Sequence, residues 1–188
     1  MGETEKWKRN LVMSERKIDT QALTVDQLLR FDELRRREIV RSTNNPVSDY
    51  AELLFCKAFG WKREENAASG YDAIDEQDTR YLIKARRIAP TGPSGQSRQL
   101  NAIRNLNNLP FDFLAGLLVD EDFQVIRAVL VPVAVVWQLA TYVAYTNSWR
   151  FLLRDSVWTL RGVRDVTSEV RSAARRILVA QTAPNRPV

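Results

Sequence analysis

The chain has 188 residues, enough for one domain with a full apolar core, and sets 28 lysines and arginines against 23 acidic residues, a net charge of +5. It has no histidine and a single cysteine, Cys56. That excludes Ser-His-Asp and Cys-His nucleophiles, histidine-ligated zinc and an internal disulfide, and leaves carboxylates and lysine for any acid-base chemistry.

The basic excess suits a polyanionic partner, and a lone thiol points to a reducing cytoplasm. Residues 1–23 read as a charged arm: Glu3, Glu5, Lys6, Lys8 and Arg9 have no apolar run of the secretory kind behind them. From Thr24, whose spacing to Gln27 is that of a capping box, a helix is expected with Val25, Leu28, Leu29, Phe31 and Leu34 on one side. Its basic end, Arg35, Arg36, Arg37 and Arg41, suits either the negative pole of the helix dipole or a phosphate. Asn45-Pro46 opens a second helix running to Phe59, with Tyr50, Ala51, Leu54 and Ala58 inward, Glu52 near that face and Gly60 as its terminator.

Trp61 to Glu65 predicts a short strand, and Asn66 to Gly70 a flexible approach to a hairpin. In that hairpin, Tyr71–Asp75 and Arg80–Ile88 are the strands and Glu76–Thr79 the turn. On the second strand Leu82, Lys84 and Arg86 share one face, and Tyr81, Ile83 and Ala85 the other. Two aspartates compete for a place beside Lys84. Asp75 opens a turn, where aspartate is common for local reasons, whereas Asp72 lies in the strand, where aspartate is depleted, and is preferred.

Pro90, Gly92, Pro93 and Gly95 mark an exposed loop, followed by an expected short helix over 97–107 with Leu100, Ile103 and Leu106 inward. Phe111–Val119 and Phe123–Val131 form a second hairpin around the acidic turn Asp120-Glu121-Asp122. Ala128 to Trp149 carries no charge, but Pro132, Gln138 and Thr141 interrupt it, so a strand and a buried helix over 133–145 are expected in place of a membrane span. Trp149–Leu160 is expected to add short strands. Asp165-Val166-Thr167 caps a last helix with Val170, Ala173, Ala174, Ile177 and Leu178 inward, and 181–188 is a tail.

A helix carrying a glutamate, then Gly-x-Asp, a hairpin and x-Ile-Lys on the next strand resembles the PD-(D/E)xK restriction-endonuclease-like superfamily, nearest to its Mrr-type and Holliday-resolvase-like members. The resemblance spans 46–131. It implies an α/β (α+β) domain over 24–180 with a mixed central sheet flanked by helices. Asp72 matches the metal-holding aspartate, Lys84 the lysine that orients or activates the attacking water, and Glu52 the helix glutamate. Leu82 stands where that family has Asp, Glu or Gln, and leucine offers a hard cation no oxygen.

The resemblance therefore implies either a Mg²⁺-dependent DNA endonuclease weakened at Leu82, or a nuclease-like fold that no longer cuts and binds nucleic acid or protein. Arg86, Arg87, Arg98 and Gln99 are the expected nucleic-acid contacts, and a homodimer is the assembly suggested by many relatives.

Overall fold

The structure, a computed structural model, describes residues 46–64, 70–88 and 97–182, with side chains to 177. All belong to one compact unit, Arg41–Val188. The arm at 1–23, the helix expected from Thr24, the loop around Pro90 and the tail from 183 lie outside the described residues, as do residues 65–69.

Helix α1 spans Pro46–Phe59. Proline in the first turn forfeits no intrahelical bond. At the other end Gly60 takes φ +73° and donates its N–H to the Cys56 carbonyl at 2.8 Å, a left-handed terminator. Ala51, Leu54 and Phe55 recur at helical spacing and are fully buried.

A six-stranded sheet follows in the order β1-β2-β3-β4-β5-β8, with β1 at Lys62–Arg63, β2 at Ala73–Ile74, β3 at Arg80–Arg87, β4 at Phe113–Val119, β5 at Val125–Pro132 and β8 at Arg164–Asp165. Only β3 and β4 run parallel, from Tyr81↔Phe113 to Arg87↔Val119. The other neighbours are antiparallel, so the sheet is mixed. Both hairpins form where expected. Helix α2 is Val133–Leu139, β6 (Thr141–Val143) and β7 (Ser148–Arg150) make a separate two-stranded ribbon, and helix α3 is Thr167–Thr182.

Period-2 alternation divides β3 and β4 between two cores. Tyr81, Ile83, Ala85, Ala115, Leu117 and Val119 pack beneath α1 and α3. Leu82, Leu114 and Leu118 face the other way, onto Leu100, Ile103, Phe111, Phe151 and Leu153. The first face is thus covered by helices. The second is covered mainly by irregular chain.

That second cover departs from expectation at two places. Residues 97–107 are no helix: Gln99 bridges Leu152, Ile103 bridges Trp149, and only Leu106–Asn108 winds into a 3₁₀ turn. Leu100, Ile103 and Leu106 do point inward, but their main chain takes its hydrogen bonds from a neighbouring extended segment, Leu100 N–H to the Phe151 carbonyl at 3.0 Å and Trp149 N–H to that of Ile103 at 2.8 Å. Apolar spacing alone does not distinguish the two solutions. The helix expected over 133–145 stops at Leu139 with only Val136 buried, and the chain turns back as the β6–β7 ribbon. No helix among the described residues is long and apolar enough to cross a membrane.

Candidate functional site

Gly70 sets the entry to the site. Its φ is +79°, and a Cβ there would stand 2.7 Å from the Pro110 Cβ, so a side chain is excluded both by conformation and by space. Two residues on, the β2–β3 pairing becomes irregular. The Asp72 N–H goes to the Tyr81 carbonyl at 2.8 Å, and the Asp72 carbonyl accepts from Glu64 N–H at 2.9 Å. The Asp72 carboxylate then takes a main-chain donor of β3: its Oδ2 accepts the Ile83 N–H at 2.6 Å. The side chain is pinned where the strands part.

The same Oδ2 lies 3.6 Å from Lys84 Nζ, an ion pair rather than a hydrogen bond, with the lysine side chain 20% and the aspartate 27% exposed. Asp72 is the ammonium's partner among the described residues. An ammonium has three N–H donors, so Lys84 keeps capacity for an incoming anion. Lys84 shares the face of Leu82 and lies opposite Gly116 on β4. A Cβ at Gly116 would stand 2.9 Å from Leu153 Cδ2, because Leu153 from the irregular cover packs onto that bare backbone.

Glu52 reaches the same neighbourhood from α1 but is engaged elsewhere. Its Oε2 accepts from the Arg63 guanidinium at 2.6 Å, in a pair whose side chains are mostly buried. Burial pushes the Glu52 carboxyl above the ordinary glutamate range, against the pull of Arg63, and the carboxylates of Asp72 and Asp49 push the same way. Arg63 had no signal in the sequence: it is eleven residues from Glu52 and sits on a two-residue strand. Burial also pushes the Cys56 thiol up to about 11, which leaves it a poor nucleophile.

The remaining expected contacts separate. Arg86 is exposed on the Lys84 face. Arg87 points to the opposite face, its guanidinium 5.8 Å from the Phe123 ring centroid. Arg98 is tied to Asp155, and Gln99 is exposed on the segment bridged to Leu152. Asp75 accepts the N–H groups of Gln77 and Thr79 and the Tyr81 hydroxyl at 2.8 Å, so its oxygens are spent on the turn. It borders a cleft of about 320 Å³ lined by Phe59, Trp61, Tyr81 and Arg164, which includes neither Asp72 nor Lys84.

As a cation site this constellation is thin. Asp72 Oδ1 has no hydrogen-bond donor among the described residues, but the side chain at 82 is 7% exposed and lies in the second core, with no oxygen to offer. Glu52 is held by Arg63, and no cluster of three or more acidic or thiol side chains among the described residues is placed to hold a metal. A hard cation takes oxygen ligands, and these residues do not fit a resident one. What they do present is a fixed carboxylate beside a half-buried ammonium. No protein-family model matches the chain, and no curated protein matches it.

Proposed function

We propose that this chain is a restriction-endonuclease-like domain that binds nucleic acid through its phosphate backbone at the Asp72–Lys84 edge and does not hydrolyse it. The resemblance supplies the class: a helix with Glu52, Gly70-Tyr71-Asp72, a hairpin and Ile83-Lys84, now seen with the carboxylate and ammonium 3.6 Å apart. The observation that carries the second half is Leu82, whose aliphatic side chain is packed into the core at the position where the superfamily has a ligand oxygen.

On this reading Lys84 is the anion-binding group and Asp72 its positioning partner. The Ile83 N–H fixes the carboxylate, the carboxylate holds the ammonium at the strand divergence, and Arg86 extends positive charge along the same face of β3. Phosphate contacts of this kind are sequence-independent and weaken as salt rises, because counterions released on binding gain less entropy in a more concentrated solution.

The test is Mg²⁺ titration with a plasmid substrate, alongside a binding measurement, for wild type, Asp72→Ala, Leu82→Gln and Lys84→Ala. Intact plasmid with wild type, salt-sensitive binding and weaker binding by Lys84→Ala are expected. Cleavage gained only in Leu82→Gln also supports a lapsed enzyme. Mg²⁺-dependent cleavage by wild type that Asp72→Ala abolishes contradicts the proposal and restores the active nuclease.

A further inference from the structure

The β6–β7 ribbon and α2 build a surface of a different kind. Trp149 on β7 is paired across the ribbon with Tyr142 on β6, their ring centroids 5.3 Å apart, and Trp137 from α2 lies 4.9 Å from the same indole. Trp149 is anchored on the second core, whereas Trp137 is 44% and Tyr142 48% exposed. Tyr145, on the turn that closes the ribbon, is 98% exposed. Beyond the isolated bridge from Trp149 to Ile103, the ribbon pairs with no other strand among the described residues.

Charge identifies what such a surface would accept. From Phe123 to Arg154 the sequence contains no acidic residue and three arginines, of which Arg127 is already paired with Asp155 and Asp165, leaving Arg150 and Arg154. Arg150 is exposed at the end of β7, and Arg104 is exposed beside Ile103, whose main chain is bonded to that of Trp149. Neither has an acidic partner among the described residues. Exposed aromatic rings, with arginines that have no acidic partner among the described residues, Arg150 at the next position of β7 and Arg104, match the two halves of a single-stranded nucleic acid, bases that stack and phosphates that need countercharge. A second copy of the chain fits less well, since a two-fold contact through this surface would bring together arginines from both copies and no acidic residue from the 123–154 segment to meet them.

We infer that the Trp137–Tyr142–Trp149 cluster, with Tyr145, is a stacking platform for unpaired bases, and that the chain's nucleic-acid ligand is single-stranded or carries an unpaired segment. This deepens the nucleic-acid function proposed above and rests on it. The geometry is compatible, because Trp149 and Leu82 belong to the same core layer, and Lys84 shares the face of Leu82.

The experiment is fluorescence anisotropy of a labelled oligothymidylate strand at low salt with the full chain, against a duplex of equal length. Wild type should bind the single strand more tightly than the duplex. Trp137→Ala and Tyr142→Ala should each weaken single-strand binding about tenfold, the scale of one lost base stack. Tyr145→Ala should weaken it with no change in thermal unfolding, since almost all of its surface is already in water. Single-strand binding that survives all three substitutions but falls in Lys84→Ala overturns the platform while leaving the phosphate-binding edge intact. Absence of binding to either nucleic acid overturns both. Concentration-dependent self-association abolished by Tyr145→Ala, without nucleic-acid binding, assigns the surface to a second copy and overturns the inference.

Discussion

The two faces of the central sheet are equally buried but are covered by different means. On the first, α1 and α3 lay regular apolar stripes over Ile83, Leu117 and Leu130. On the second, the chain crosses as extended segments, 97–106 against 148–153, joined through isolated bridges and short 3₁₀ turns. A helix satisfies its own main chain and needs only an apolar stripe. An irregular cover must find partners for its N–H and C=O groups from segments distant in sequence. Lys84, Arg86 and the exposed rings all lie on this second side, where irregular chain and the one short helix α2, which buries only Val136, leave polar and aromatic side chains at the surface.

If both covers are true cores, emptying either should be equally costly. Phe55 on the first side and Phe151 on the second are both fully buried. Phe55→Ala and Phe151→Ala are each expected to cost about 3–5 kcal/mol, measured by urea unfolding. A cost near zero for Phe151→Ala would mean that the irregular layer is a loose cover and would break the comparison.

A smaller effect sharpens it. Gly116 is the position where Leu153 meets bare β4 backbone, with Val129 Cγ1 also 3.2 Å from where a Cβ would stand. Gly116→Val should cost roughly 1–3 kcal/mol by overpacking. Part of that loss should return in the double variant Gly116→Val/Leu153→Ala. Simple additivity of the two losses would contradict the contact as described.

The smallest effects are titrations, and the two carboxyls shift in opposite directions. Asp112 accepts the Arg80 guanidinium at 2.9 and 3.1 Å and the Arg80 N–H at 2.8 Å, and these bonds hold its carboxyl below the ordinary aspartate range. Its contribution to stability is therefore present above the unfolded aspartate pKa, about 3.9, and is lost as pH falls through the lower folded value. Asp112→Asn should flatten the acid limb of a stability-against-pH curve. Burial raises Glu52, so its proton-linked contribution is present below the unfolded glutamate pKa and is lost as pH rises through the folded value. Glu52→Gln should remove that opposite slope. Unchanged slopes in both variants would show that neither group differs between folded and unfolded chain.

The same division governs what the sequence made legible. The hairpin at 70–87 was readable because Gly70, the polar turn and the apolar-polar alternation from Ile83 to Arg86 are local signals, and α1 because Pro46 and Gly60 punctuate it. The helix expected over 97–107 failed because Leu100, Ile103 and Leu106 bury equally well from an extended path once Trp149 and Leu152 are there to accept it. Of the site, the proximity of residues 72 and 84 follows from the hairpin. The engagement of Glu52 with Arg63, and of Arg98 with Asp155, depends on segments eleven and fifty-seven residues apart that no local pattern connects. The ring cluster was hidden for a related reason: an apolar run over 133–145 looks the same whether its tryptophan is buried or exposed.

The most direct measurement is the salt dependence of nucleic-acid binding by wild type and Lys84→Ala in the presence of Mg²⁺, with the substrate recovered and sized afterwards. An ammonium that meets a phosphate without cutting predicts that the variant's slope of log K against log salt is shallower by about one contact, with the substrate intact throughout. An unchanged slope, or shortened product that disappears in Asp72→Ala, would contradict it.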